Sequence, residues 1–240
     1  MESLHGSPVT APGYFVTGTD TGVGKTVVSC ALLHALAKRG LRSVGMKAVA
    51  AGATEVDGRL VNDDVAALRA ASSIAAPVEL INPYCFAAPI APHIAAAEAG
   101  VEIELDRLQR AFLALRALAD CVIVEGAGGF LVPLGPRIDM RDLAVRLALP
   151  VILVVGLRLG CLNHALLTAE SVERAGLRLG GWVANHIDPD MARADENVRA
   201  LKSRLQAPLL ARIPYCGTMP AAHVACEINI DLLHALPPSS

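Results

Sequence analysis

The sequence predicts an α/β fold: a mostly parallel β-sheet with helices on both faces. Three observations predict it. Short apolar runs alternate with helix-like segments along the chain, the β-α order of a parallel sheet. Hydrophobic residues make up 53% and aromatics only 3%, so alanine, valine and leucine must fill the core, as they do where helices pack closely on a buried sheet. The first apolar run leads into "TGTDTGVGKT", a glycine-rich turn followed at once by a helical pattern.

The first strand is "GYFVTG", short and rich in aromatic and β-branched residues. Thr26 to Lys38 is expected as a helix with apolar residues on one face, stopped by Gly40. "LRSVGMKAVA" reads as a second strand, and Asn62 to Ala71 as a helix capped by Asn62. "PVELINPYCFAAPIAPH" holds too much proline for a long helix and reads as a strand or extended segment, then a functional loop. Leu105 to Ala119 is a helix, and "DCVIVEGAGG" a buried strand ending at an acid and a glycine cluster. Arg141 to Ala148 is a short helix, "PVILVVGL" a buried strand, and Asn163 to Ala175 a helix stopped at Gly176. "GGWVANHI" is a strand, Arg193 to Leu205 a helix, and "APLLARIP" a last strand. No linker or repeat divides the chain. Residues 14–236 are expected to form a single α/β domain, preceded by a disordered extension over 1–13. In such sheets the ligand lies beyond the carboxyl ends of the strands, and each polar cluster here directly follows an apolar strand.

The composition narrows the function classes. A chain of 240 residues buries roughly three quarters of its surface on folding. Its net charge of −2, with no basic block, argues against a nucleic-acid partner. Mean hydropathy is positive, +0.47, yet the longest apolar run, near "PVILVVGL", falls well short of the roughly twenty residues that span a membrane. The opening "MESLHGSPVTAPG" has neither a basic start nor an apolar core, so it does not read as a secretory signal. The six cysteines, 30, 85, 121, 161, 216 and 226, form no C-x-x-C. They fit a reducing, cytoplasmic setting and small core residues rather than a metal site.

A phosphate-binding loop needs backbone N–H groups turned toward an anion and a helix N-terminus behind them. Gly18, Gly22 and Gly24 allow the turn, and the helix from Thr26 supplies the second part. In that frame Lys25 reaches the β- and γ-phosphates, and the Thr26 hydroxyl takes Mg²⁺. Thr19 stands where the usual spacing has glycine, and its hydroxyl can itself donate to phosphate. A second metal-positioning acid belongs at the end of another strand. Glu125 fits, after "CVIV" and before Gly126-Ala127-Gly128-Gly129. Asp63 and Asp64 near a helix start read, on their own, more as complements to the helix dipole than as catalytic groups. Lys47 lies inside an apolar strand near its carboxyl end. It must meet a partner, a ligand or solvent, and a snorkelling surface lysine is as good a reading.

These residues resemble the dethiobiotin synthetase family, ATP-dependent enzymes of biotin synthesis within the P-loop NTPase superfamily. The resemblance runs from Tyr14 to about Tyr215. "YFVTGTDTGVGKT" resembles the family's nucleotide loop, threonine at the first position included; "NPYCFAAPIAPHIAA" its substrate-side loop; "VIVEGAGG" its second metal strand. "PVILVVGLRLGCLNHALLT" resembles its dimer-side loop and helix, and "GWVAN" its adenine strand. The resemblance implies that Gly22, Val23, Gly24, Lys25, Thr26 and Val27 hold the ATP phosphates, and that Gly126, Ala127 and Gly128 line the nucleotide with Glu125. Asn185, His186, Ile213, Pro214 and Tyr215 would frame the adenine. Thr26, Asp64 and Glu125 would bind Mg²⁺; the family's Asn-x-Asp pattern favours Asp64 over Asp63 within Asn62-Asp63-Asp64. Lys47 matches the active-site lysine and acts with Lys25. Thr21, Ala51 and Gly160, Cys161, Leu162 and Asn163 would meet the substrate, the last four from the other subunit of a homodimer. The chain departs from the family at Ala48 (usually proline), Ala51 (a substrate-contacting serine), Gly22 (an acid in some members) and His186 (often an acid).

The implied reaction closes a cyclic urea on 7,8-diaminononanoate with CO₂, through a carbamate that ATP phosphorylates, with no nucleic acid or membrane involved. Two rivals share the loop: another ATP-dependent ligase of the same fold, and a P-loop ATPase switch acting on a protein partner. The related partitioning and septum-site ATPases carry a lysine where Asp20 stands here, which argues against the switch.

Overall fold

Tyr14, Phe15 and Val16 are consecutive and all buried, Phe15 in one hydrophobic cluster and its two neighbours in another. Successive strand side chains point to opposite faces, so both faces of this strand are covered. The computed structural model describes residues 13–215 and 221–234. The expected N-terminal extension thus lies outside the described residues, except for Gly13, which is the first residue of the first strand.

In chain order the elements begin with β1 (Gly13–Gly18), α1 (Lys25–Lys38), β2 (Ser43–Lys47), β3 (Val49–Ala51), β4 (Thr54–Val56), β5 (Arg59–Val61) and α2 (Asp63–Ala71). They continue with α3 (Val78–Ile81), β6 (Tyr84–Phe86), α4 (Pro92–Glu98), α5 (Leu105–Leu118), β7 (Cys121–Gly129), α6 (Met140–Leu147) and β8 (Val151–Leu157). The last are α7 (Cys161–Arg174), β9 (Leu179–His186), α8 (Ala194–Lys202), β10 (Leu209–Ile213), α9 (Ala221–Val224) and α10 (Asp231–His234). Six strands form one sheet in the order β10-β9-β8-β1-β7-β2, every pairing parallel. One face packs on α1 and α2 with the C-terminal turns, the other on α5, α6, α7 and α8. The chain leaves β1 toward β2 on one side and later returns to β8 on the other. That reversal opens the crevice beyond the carboxyl end of β1 where α/β sheets bind ligands.

Three expectations need correction. The expected strand over "LRSVGMKAVA" is broken at Ala48: β2 ends at Lys47, and β3 pairs with β6 in a separate two-stranded sheet. Asn82 donates to the Lys47 carbonyl at 2.7 Å, which takes the acceptor that a continuing ladder would use. Second, α1 does not carry a single apolar face. Val28 through Leu33 are buried without a break, because the sheet, α2 and α9 enclose the helix. Third, "PVELINPYCFAAPIAPH" is not a strand or extended segment followed by a loop: it opens with the short helix α3 over Val78–Ile81, keeps only Tyr84–Phe86 as strand, and ends in α4, which starts at Pro92, a position where proline's missing N–H costs nothing. The sequence reading also passed over the β4–β5 hairpin. Its turn is Asp57-Gly58, both at positive φ, and Asp-Gly between extended runs is the signal that could have found it.

Candidate active site

The loop between β1 and α1 turns at Gly22 (φ 74°) and Gly24 (φ 89°), left-handed values that a side chain would strain. It delivers the chain into α1, whose unpaired N–H groups and dipole favour an anion. Side chains brace the loop from several strands. Asn185, near the end of β9, donates through Nδ2 to the Val23 carbonyl at 2.8 Å. The Gly156 N–H donates to the Thr19 hydroxyl at 3.3 Å, so this threonine ties the loop to β8. The Asp20 carboxylate accepts the Thr21 N–H at 2.7 Å and pairs with Arg158 just past β8. Lys25 is buried and donates to the Asp20 carbonyl at 3.1 Å. Burial lowers its proton affinity, and the charge of Lys47 lowers it further.

Parallel pairing sets Lys47, the last residue of β2, opposite Glu125 on β7. Helix α2 brings the third member, Asp64, into its first turn. Asn62 caps that helix, accepting the N–H groups of Asp64 and Val65 at 3.1 and 3.3 Å, and its own amide donates to the Ala51 carbonyl at 3.2 Å. The result is a closed cluster. Lys47 Nζ donates to Glu125 Oε1 at 2.5 Å and to Asp64 Oδ2 at 2.6 Å. The Thr26 hydroxyl lies 2.8 Å from Asp64 Oδ1 and 2.9 Å from Glu125 Oε1. Burial acts to depress Lys47, but the two carboxylates outweigh it and raise its proton affinity above the ordinary lysine value. Burial would likewise raise Asp64, yet Lys47 and Thr26 hold it below the usual carboxylate range. Lys47 is therefore no snorkelling surface lysine: it is 5% exposed.

Glu125 is fully buried, and its Oε2 has no partner. Among the described residues no three His, Cys, Asp or Glu gather in a metal-binding group. The chain itself thus offers two carboxylates and a hydroxyl, the oxygen set of a hard cation that shares its shell with phosphates and water.

The structure places the remaining sequence-predicted residues around this centre. Val27 is exposed in the first turn of α1. Gly126, Ala127 and Gly128 continue β7 past Glu125. A Cβ on Gly128 would lie 3.5 Å from the Thr21 hydroxyl, so this stretch runs beside the loop. His186 ends β9 with its Nε2 buried and unpartnered. Ile213 pairs with Asn185 in register but is buried in the core, whereas Pro214 and Tyr215 stand exposed beyond β10. Ala51 ends β3, outside the main sheet. Gly160 caps α7, and Cys161, Leu162 and Asn163 form its first turn, two residues earlier than expected. Cys161 is buried, and burial pushes its thiol up. Sequence reasoning missed the Asp20–Arg158 pair and the Asn82 brace, because nothing local signals partners so far apart in the chain.

Comparison with known proteins fits this geometry. A family model described as an AAA domain matches residues 12–221. The chain is 56% identical over 217 residues to the ATP-dependent dethiobiotin synthetase BioD of Aromatoleum aromaticum, covering 90% of this chain and 96% of the relative. It is 59% identical to the protein of the same name from Nitrosospira multiformis, covering 91% and 95%, and 52% identical to that from Xylella fastidiosa, covering 92% and 95%. Among solved structures, the MinC:MinD cell division complex of Aquifex aeolicus aligns with TM-score 0.56 at 16% identity, covering 95% of this chain and 98% of that one. A ParA family ATPase from Chlorobium tepidum aligns with TM-score 0.52 at 17% identity, covering 85% and 84%. These two share the fold.

Proposed function

This chain belongs to the ATP-dependent dethiobiotin synthetase family, and from that premise we propose that it closes a cyclic urea on 7,8-diaminononanoate. CO₂ supplies the carbon and ATP drives the closure, giving dethiobiotin, ADP and phosphate in biotin biosynthesis. The observation that carries the reading is the convergence of Lys25, Thr26, Lys47, Asp64 and Glu125 at the carboxyl end of the sheet, on a chain 52–59% identical to relatives named for this activity.

One substrate amine adds to CO₂, forming an N–C bond and releasing a proton, to give a carbamate. A carbamate oxygen takes the γ-phosphoryl group of ATP, and ADP leaves. The second amine attacks the carbamoyl carbon, its proton is lost, and the C–O bond to phosphate breaks as the ring closes. Phosphoryl transfer of this kind asks for alignment and charge neutralisation rather than a side-chain nucleophile. The residues from Gly22 to Val27 hold the phosphates, with Lys25 on the β- and γ-groups. Lys47 brings its charge to the carbamate and the transferring phosphoryl. Gly126 to Gly128 line the nucleotide, and Asn185, His186, Ile213, Pro214 and Tyr215 frame its base. Thr26, Asp64 and Glu125 suit Mg²⁺, since the unpartnered Oε2 of Glu125 leaves a buried oxygen for a cation. When bound, Mg²⁺ neutralises charge on the β- and γ-phosphates.

Thr21 and Ala51 contact the diamine, together with Gly160 to Asn163 of a second subunit. Leu159, next to that segment, is 95% exposed, which suits burial in a homodimer. The working setting is the cytoplasm. The reading also treats residues 14–236 as one domain and gives no role to nucleic acid or membrane; no helix among the described residues is long and apolar enough to cross one. The test is ADP release with and without diaminononanoate and bicarbonate, with the product weighed by mass spectrometry. The reading requires both substrates for rapid ADP release and a product of dethiobiotin's mass. Equal ATPase rates without them would turn the assignment toward a switch.

A further inference from the structure

The ammonium of Lys47 sits where a metal's positive charge belongs. It contacts Glu125 Oε1 at 2.5 Å and Asp64 Oδ2 at 2.6 Å, while Thr26 reaches the same Glu125 oxygen and the other oxygen of Asp64. Hydroxyl and ammonium thus bridge the same two carboxylates. A divalent ion held by Thr26, Asp64 and Glu125 would have the free Glu125 Oε2 open to it, but it would still draw on Asp64, whose two oxygens already hold Thr26 and Lys47. Lys47 carries a like charge, so the two cations repel each other and compete for this carboxylate pair. The Lys47 backbone is fixed by pairing to β7 and by the Asn82 amide at 2.7 Å on its carbonyl, which leaves the side chain as the movable part.

We propose that Lys47 is the resident cation of this site in the nucleotide-free protein, and that divalent metal binding displaces it. The inference rests on the metal assignment made above. Its consequence is a coupling: the metal's arrival with nucleotide releases the Lys47 ammonium, which can then turn toward the carbamate and the transferring phosphoryl. Before that moment the lysine is held away by its two carboxylates, and the buried Glu125 never stands without a counter-charge.

The test is Mn²⁺ binding to the full chain without nucleotide, read as free Mn²⁺ by electron paramagnetic resonance. Lys47→Met should bind Mn²⁺ at least about fivefold more tightly than the parent, the low end of ordinary coupling between two ligands. Lys47→Arg, which keeps a cation, should stay within about twofold of the parent, a change of less than about 0.5 kcal/mol. Equal or weaker binding by a folded Lys47→Met would overturn the proposal. Should that variant fail to fold, the parent protein decides by NMR. A slowly exchanging Lys47 ammonium signal is expected without metal and should disappear when Mg²⁺ and a non-hydrolysable ATP analogue are added; its persistence in that complex overturns the proposal. Asp64→Asn separates the two levels. If it leaves Mn²⁺ affinity in the analogue complex unchanged, the metal assignment falls and this proposal with it. If it weakens Mn²⁺ while Lys47→Met does not tighten it, only the displacement falls.

Discussion

Lys25 carries its charge in a buried position where desolvation and the nearby Lys47 both favour the neutral form. Its folded proton affinity therefore lies below the ordinary value of 10.5. The unfolded chain binds more protons in the window beneath that value, so this group's contribution to stability rises with pH there. Anionic phosphates would reverse the balance. Lys25→Met should accordingly leave the melting temperature of the nucleotide-free protein unchanged or higher, while abolishing the stabilisation by ATP. Thermal unfolding with and without ATP checks both halves; a variant that melts lower alone, or keeps the ATP shift, contradicts this account. At this scale much was legible. Glu125 follows an apolar run, Lys47 ends a strand, Lys25 closes a glycine-rich turn into a helix, and Asn-Asp-Asp announces a capped helix start. What the sequence left open for Lys47, a solvated or a partnered ammonium, was decided by register, because pairing of β2 with β7 puts it on Glu125. The Asp20–Arg158 pair was not legible, since each charge alone reads as surface.

The site is assembled by two elements in close contact, β2 carrying Lys47 and α2 carrying Asp64. They approach over Gly45. A Cβ there would lie 2.9 Å from the Leu68 Cβ and 3.1 Å from Leu33 Cδ1. Gly45→Ala should therefore destabilise the fold by about 1–3 kcal/mol through overpacking, measured by urea denaturation. It should also slow turnover, because α2 must shift and Asp64 with it; unchanged stability would show that the two elements are not locked by this contact. The long strands and helices were read nearly to their ends, since continuous apolar runs and stop residues mark them. The short pieces were not. Three-residue strands such as β3 and β6 carry too few residues for a period, and they form through partners far along the chain. The one-sided pattern expected of α1 failed because helices and sheet surround it.

For the whole molecule, the parallel sheet with its reversal at β1 places every phosphate, metal and base candidate at one end. The fold is shared with MinD and ParA proteins, so the fold alone does not distinguish a ligase from a switch. The 52–59% identity to dethiobiotin synthetases makes that distinction, and Lys47 with its cluster is where the proposed chemistry would show it. The central claim is that this lysine acts on the reacting carbamate and phosphoryl. Its most direct test is steady-state kinetics of Lys47→Ala with diaminononanoate, bicarbonate and ATP, on protein shown to be folded by circular dichroism. An electrostatic donor used chiefly in the transition state is worth about 10²–10³ in rate, and its loss lowers kcat and kcat/KM alike. The account predicts a fall of that size in kcat with ATP affinity changed far less. Normal turnover of the diamine by Lys47→Ala would contradict it.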